Sequence, residues 1–89
     1  MRYLALLYAP VGASNWSGHF PDLPGCVATG RTFEDVCAML QEALTAHLAG
    51  MREDGDPPPT ARSFEDILAD PEEDVDGAYP ALIIAQAGG

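Results

Sequence analysis

The spacing of apolar positions changes along this chain, and each change marks an element. Arg2 to Ala9 carries bulk on both faces of an extended segment, at Tyr3, Leu4, Leu6, Leu7 and Tyr8. That pattern predicts a central strand covered on both sides. Pro10 to Ser14 predicts a turn. Asn15 to Phe20 alternates, with Trp16, Gly18 and Phe20 on one face and Asn15, Ser17 and His19 on the other. It predicts a second strand that forms a hairpin with the first. Cys26 to Arg31 predicts a third strand, ending at Gly30.

From Thr32 the period lengthens. Phe33, Val36, Cys37, Leu40, Leu44, His47, Leu48 and Met51 recur at helical spacing and make one continuous face. Asp35, Gln41, Glu42 and Thr45 fall toward the other side. Thr32 and Asp35 resemble a capping box with aspartate in the glutamate position, and Glu34 and Asp35 suit the positive end of the helix dipole. Gly50, Gly55 and Pro57-Pro58-Pro59 predict the helix end. Ser63-Phe64-Glu65-Asp66-Ile67-Leu68 repeats the cap and acidic first turn, and predicts a short second helix. Tyr79 to Gln86 is apolar enough to predict a buried last strand, and Ala87-Gly88-Gly89 a frayed end.

Between the second and third strands lies the most constrained stretch, Phe20-Pro21-Asp22-Leu23-Pro24-Gly25-Cys26. Each proline lacks a backbone donor and pushes the residue before it toward extended geometry. Pro24-Gly25 predicts a turn. The element order is β-β-β-α-α-β. It predicts an α+β fold: a small antiparallel sheet with one long helix packed on one face. At 89 residues the chain predicts a single domain over 1–89. A core this small is often completed by a partner, so a homo-oligomer, dimer or tetramer, is expected.

Charge changes the picture. The chain has no lysine. Residues 1–52 hold four acids and three arginines, whereas residues 53–76 hold ten acids and only Arg62. This argues against gripping phosphate backbones, which takes clustered Lys and Arg, so no direct nucleic-acid binding is expected. It favours a basic partner, or serves plain solubility as a solvated acidic loop. By charge alone the candidate contacts are Asp22, Glu53, Asp54, Asp56, Asp70, Glu72, Glu73, Asp74 and Asp76. No apolar run is long enough to span a membrane and no secretory leader follows Met1-Arg2, so a cytoplasmic protein is expected.

Catalytic chemistry finds little support. The acids sit in loops and helix caps rather than on strands, with Asp22 just beyond the second strand, which argues against a metal-dependent nuclease. His19 has only Asp22 as a sequence-near orienting carboxylate. His47 reads as a core-edge histidine bonded to a backbone carbonyl. Cys26 and Cys37 lack metal-ligand spacing and read as buried thiols. No glycine-rich phosphate loop is present. Trp16, Phe20 and Tyr79 could stack bases, but without a positive groove they read as core or as the centre of a protein interface. No enzyme activity, metal or cofactor is expected.

The run FPDLPGC (20–26), followed by VATGRTFEDVCAMLQEALTAHLAGMREDGDPPP (27–59), resembles the HicB family of bacterial antitoxins. The resemblance covers most of residues 1–59, and residues 60–89 follow it in outline. It implies a truncated ribonuclease-H-like fold. It also implies a partner, a HicA-type toxin: a small basic ribonuclease whose RNA-cleaving surface the antitoxin blocks. Phe20, Pro21, Leu23, Pro24, Gly25 and Cys26 are then the family's structural motif. Many HicB proteins append a DNA-binding module, and nothing after the final strand here resembles one. The turn at Pro10–Ser14 departs from the family by lacking an acidic Asp-Gly pair. A second reading is an orphan HicB-like module, self-associating as a scaffold or regulator with no toxin.

Overall fold

The computed structural model describes residues 1–86; the frayed end expected at 87–89 lies outside them. Four strands and two helices follow one another as β1 (Arg2–Tyr8), β2 (Trp16–Phe20), β3 (Leu23–Gly30), α1 (Phe33–Glu53), α2 (Phe64–Ala69) and β4 (Tyr79–Ile84). The strands form one antiparallel sheet in the order β3-β2-β1-β4. β1 is interior and buried on both faces, as its unbroken apolar run predicts.

The two faces carry separate cores. On one, Tyr3, Ala5, Leu7, Phe20 and Leu23 pack under α1 through Val36, Leu40, Leu44 and Leu48, one residue per turn of the helix. On the other, Leu4 and Leu6 pack against Ile67, the buried residue of α2. Gly18 lies under α1, where an added Cβ would sit 2.8 Å from Leu40 Cδ1. On the predicted α1 face Val36, Leu40, Leu44 and Leu48 are buried, Cys37, His47 and Met51 are half-buried, and Phe33 is exposed.

Both helices begin as their caps require. Thr32 Oγ1 accepts from the Asp35 N–H at 3.0 Å and Ser63 Oγ from the Asp66 N–H at 3.1 Å. α1 ends in a double closure: the Gly55 N–H bonds Arg52 O at 3.1 Å and the Asp56 N–H bonds Met51 O at 2.8 Å. That Schellman pattern needs a left-handed residue, and Gly55 has φ +76°. The chain then leaves the α1 face, rounds the end of the sheet, and crosses the opposite face through α2. Tyr3 Oη donates to Pro59 O and Tyr8 Oη to Asp74 O along this path.

Three expectations need correction. The tight turn is at Pro21-Asp22, not Pro24-Gly25, since Phe20 pairs directly with Leu23. β3 accordingly starts at Leu23 rather than Cys26, and the register jumps from Phe20↔Leu23 to His19↔Val27, leaving Pro24, Gly25 and Cys26 in a bulge. Gly25 has φ +87° there, which L side chains rarely adopt. Second, β4 is not buried: it is an edge strand on which only Ile83 is buried. Third, Gln41 and Thr45 do not face away from the sheet. Gln41 Nε2 donates to Ile84 O at 2.8 Å, and Thr45 Oγ1 accepts the Gln86 N–H at 3.0 Å.

Candidate functional site

The acidic half of the chain is organised around its one cation. Arg62 bonds Asp22 twice, backbone N–H to Oδ2 at 2.8 Å and Nε to Oδ1 at 2.6 Å. Its Nη1 donates to Asp70 Oδ2 at 2.9 Å and its Nη2 to Glu73 Oε2. Three carboxylates from the β2–β3 turn and the loop after α2 thus converge on one guanidinium. The Asp22 bond first and the Glu73 bond second push the Arg62 pKa still higher, so it stays charged at any pH the fold meets.

This geometry divides the nine acids expected to face a partner. The Asp22 side chain is only 5% exposed. It is tied inward, as are Asp70 and Glu73, so Asp22 is corrected from a surface contact to an anchor. Glu53, Asp54 and Asp56 remain exposed around the end of α1, and Glu72, Asp74 and Asp76 along the loop before β4. Asp70 and Asp74 also brace that loop by accepting the backbone N–H groups of Glu72 and Asp76. Arg62 was missed as a hub. The available signal was its isolation, one cation among ten acids, since a lone opposite charge collects neighbours.

The remaining candidates resolve as follows. Within the FPDLPGC run, Phe20, Leu23 and Cys26 are buried, Pro21 forms the turn, and Pro24 and Gly25 are exposed. His19 stacks on Tyr8, ring centroids 5.9 Å apart, and does not pair with Asp22. It lies in an open groove of about 420 Å³ on the sheet face beside α2, lined also by Ser17, Val27 and Thr29. His47 makes no hydrogen bond to a backbone carbonyl among the described residues. Phe20 belongs to the core, whereas Trp16 packs edge-on to Phe33 at 5.4 Å and tilted to Tyr79 at 5.7 Å. Burial pushes both thiols up, Glu34 adding to the effect at Cys37, which is half-buried rather than buried. Among the described residues no group of three His, Cys, Asp or Glu could hold a metal ion. No helix there is long and apolar enough to cross a membrane.

A small antiparallel sheet between one long helix and one short one, with its acids in a clasp and an exposed fringe, defines a class of compact α+β domain. The chain belongs to a particular family of that class. A family model described as HicB-like antitoxin of bacterial toxin–antitoxin system matches residues 3–84. That range runs well past Pro59, where the specific resemblance in sequence stops. The fold is similar to the crystal structure of the Burkholderia pseudomallei antitoxin HicB, with TM-score 0.82 and 26% identity over 98% of this chain and 64% of that one. It is also similar to a chain of the HicA3 and HicB3 toxin–antitoxin complex, with TM-score 0.72 and 24% identity over 97% of this chain and 99% of that one. Among curated proteins, an uncharacterized 14.9 kDa protein of Haemophilus phage HP1 is 35% identical over 52 residues. The match spans 58% of this chain but only 39% of the phage protein.

Proposed function

We propose that the chain is an antitoxin that binds and neutralises a small basic HicA-type ribonuclease by direct protein–protein contact. Membership of the HicB-like antitoxin family carries this reading. The chemistry agrees with it. Six exposed carboxylates, Glu53, Asp54, Asp56, Glu72, Asp74 and Asp76, present negative charge and form no salt bridge among the described residues. A basic RNA-binding surface meets such a fringe as it would meet phosphates, which speeds encounter and fixes orientation. The Arg62 clasp holds the loop that carries three of the six. No catalytic role is assigned to this chain.

The test is recovery of the protein from its host at low salt. The expected result is a stoichiometric small basic protein, released by higher salt, that degrades RNA and stops growth when expressed alone. Co-expression of this chain restores growth. Neutralising Glu72, Asp74 and Asp76 together should weaken that rescue. Recovery of the chain alone, under conditions where added HicA-type toxins also fail to bind, would replace this reading with the orphan self-associating module.

A further inference from the structure

We propose that β4 is the seam of a two-fold homodimer, in which two copies pair their β4 strands antiparallel with Leu82 opposite Leu82 of the second copy. The inference rests on the backbone of one strand and is independent of any toxin.

β4 has a free side, because the sheet order places β1 on its other side. The Ala85 N–H bonds Met1 O at 2.9 Å, and Ile83 and Ala81 lie opposite Tyr3 and Ala5. Odd-numbered residues therefore direct their backbone groups at β1, and Pro80, Leu82 and Ile84 direct theirs outward. Two outward groups are already settled. The Ile84 carbonyl takes Gln41 Nε2, and Pro80 has no N–H to offer. What remains is the Pro80 carbonyl, both groups of Leu82, and the Ile84 N–H: two donors and two acceptors.

A two-fold pair centred on Leu82 uses all of them. Leu82 exchanges both bonds with its own counterpart, and each Ile84 N–H reaches the Pro80 carbonyl of the other copy. The donor that proline lacks would have faced the one acceptor that Gln41 occupies. Sliding the pair one two-residue step sets the Leu82 carbonyl against Pro80 in one direction. In the other it sets the Leu82 N–H against the occupied Ile84 carbonyl. Each slide forms half as many bonds, so a single register is selected.

The side chains suit the same seam. Pro80, Leu82 and Ile84 share the sheet face of Leu4, where Leu82 is 54% and Ile84 56% exposed. In the pair, Leu82 lies beside Leu82 and Ile84 beside Pro80. The strand carries no charge to guard its edge, and the adjoining groove, lined by Cys37, Ala38, Gln41 and residues 82–84, contains no charged residue.

Light scattering on the whole chain should report twice the 9.4-kDa chain mass. Leu82→Arg should reduce it to one chain mass with an unchanged far-ultraviolet spectrum. Register is tested in a Cys37→Ser background. Leu82→Cys should form an intermolecular disulfide on mild oxidation, because directly opposed Cα atoms lie at about 5.5 Å. Ile84→Cys should not, since the two copies of residue 84 are about four residues apart along the seam, near 13 Å. A native chain that stays monomeric at micromolar concentration overturns the proposal and leaves the edge to a strand of a different protein. A dimer that survives Leu82→Arg, or one that crosslinks as readily at 84 as at 82, also overturns it. The crosslinking comparison keeps its force even if Leu82→Arg fails to fold.

Discussion

Asp22 is gripped by Arg62 from two directions, by its backbone N–H and by its guanidinium, across forty residues of sequence. The contact ties the β2–β3 turn to the segment that carries the chain from one face of the sheet to the other. Asp22→Asn keeps the size and loses the charge. We expect it to lower unfolding free energy by about 1–2 kcal/mol, the scale of a hydrogen bond to a charged group discounted for partial exposure. Urea unfolding would measure the loss. Limited proteolysis should show new cutting between residues 57 and 78, and no such cutting would mean that the clasp does not hold this segment.

Two glycines should respond oppositely to alanine. A Cβ on Gly30 would lie 2.5 Å from Val36 N and 2.9 Å from the Asp35 carbonyl carbon, and backbone cannot move aside as a side-chain tip can. Gly30→Ala is expected to cost about 1–3 kcal/mol by overpacking the junction of β3 and α1. Gly50, inside α1, has nothing within 4 Å of the same position. Gly50→Ala should raise stability by about 0.5–1 kcal/mol through helix propensity. Thermal melts of the two variants would decide it, and equal shifts would contradict the packing at Gly30.

α2 is held to the sheet through Ile67, which is fully buried against Leu4 and Leu6. Ile67→Ala should cost about 2–4 kcal/mol through lost burial and the cavity left behind. Exchange of the amide hydrogens of α2 should then rise far more than that of α1, whose core lies on the other face.

Tyr3 makes the fold sensitive to alkali. Its phenol donates to Pro59 O at 2.6 Å, and burial first, then the charge of Asp22, raise its pKa above the usual 10.0. A phenol is neutral when protonated, so the folded state favours the neutral form more than the unfolded state does. Its contribution is complete below about pH 10 and is lost as pH rises through the higher folded value. Unfolding measured from pH 8 to 11 should show this loss on top of that from Tyr8, Cys26 and Cys37, whose pKa values burial also raises, and Tyr3→Phe should reduce it while lowering stability at pH 8.

How much of this was legible follows from the range of each interaction. The caps at Thr32 and Ser63, the one-per-turn stripe of α1 and the glycine stop at Gly55 all join residues within a few positions, so the chain itself announces them. The Pro24-Gly25 pair shows where that logic ends. It carries a strong local turn signal, yet the turn forms at Pro21-Asp22, because pairing of Phe20 with Leu23 buries both and pushes the later proline and glycine into a bulge. Cross-strand pairing chose between two local signals.

The sequence by itself determined the element order, the α+β class, the family resemblance carried by residues 20–59 and the concentration of acid beyond residue 52. Only the tertiary structure decided which acids are free and which strand is exposed. Asp22 reads as one more negative charge until Arg62, forty residues away, closes on it. Tyr79 to Ile84 reads as a buried strand because it is apolar, but burial depends on sheet order, and β4 falls at the edge. Local preference depends on neighbours in the chain, whereas burial and charge pairing depend on neighbours in space.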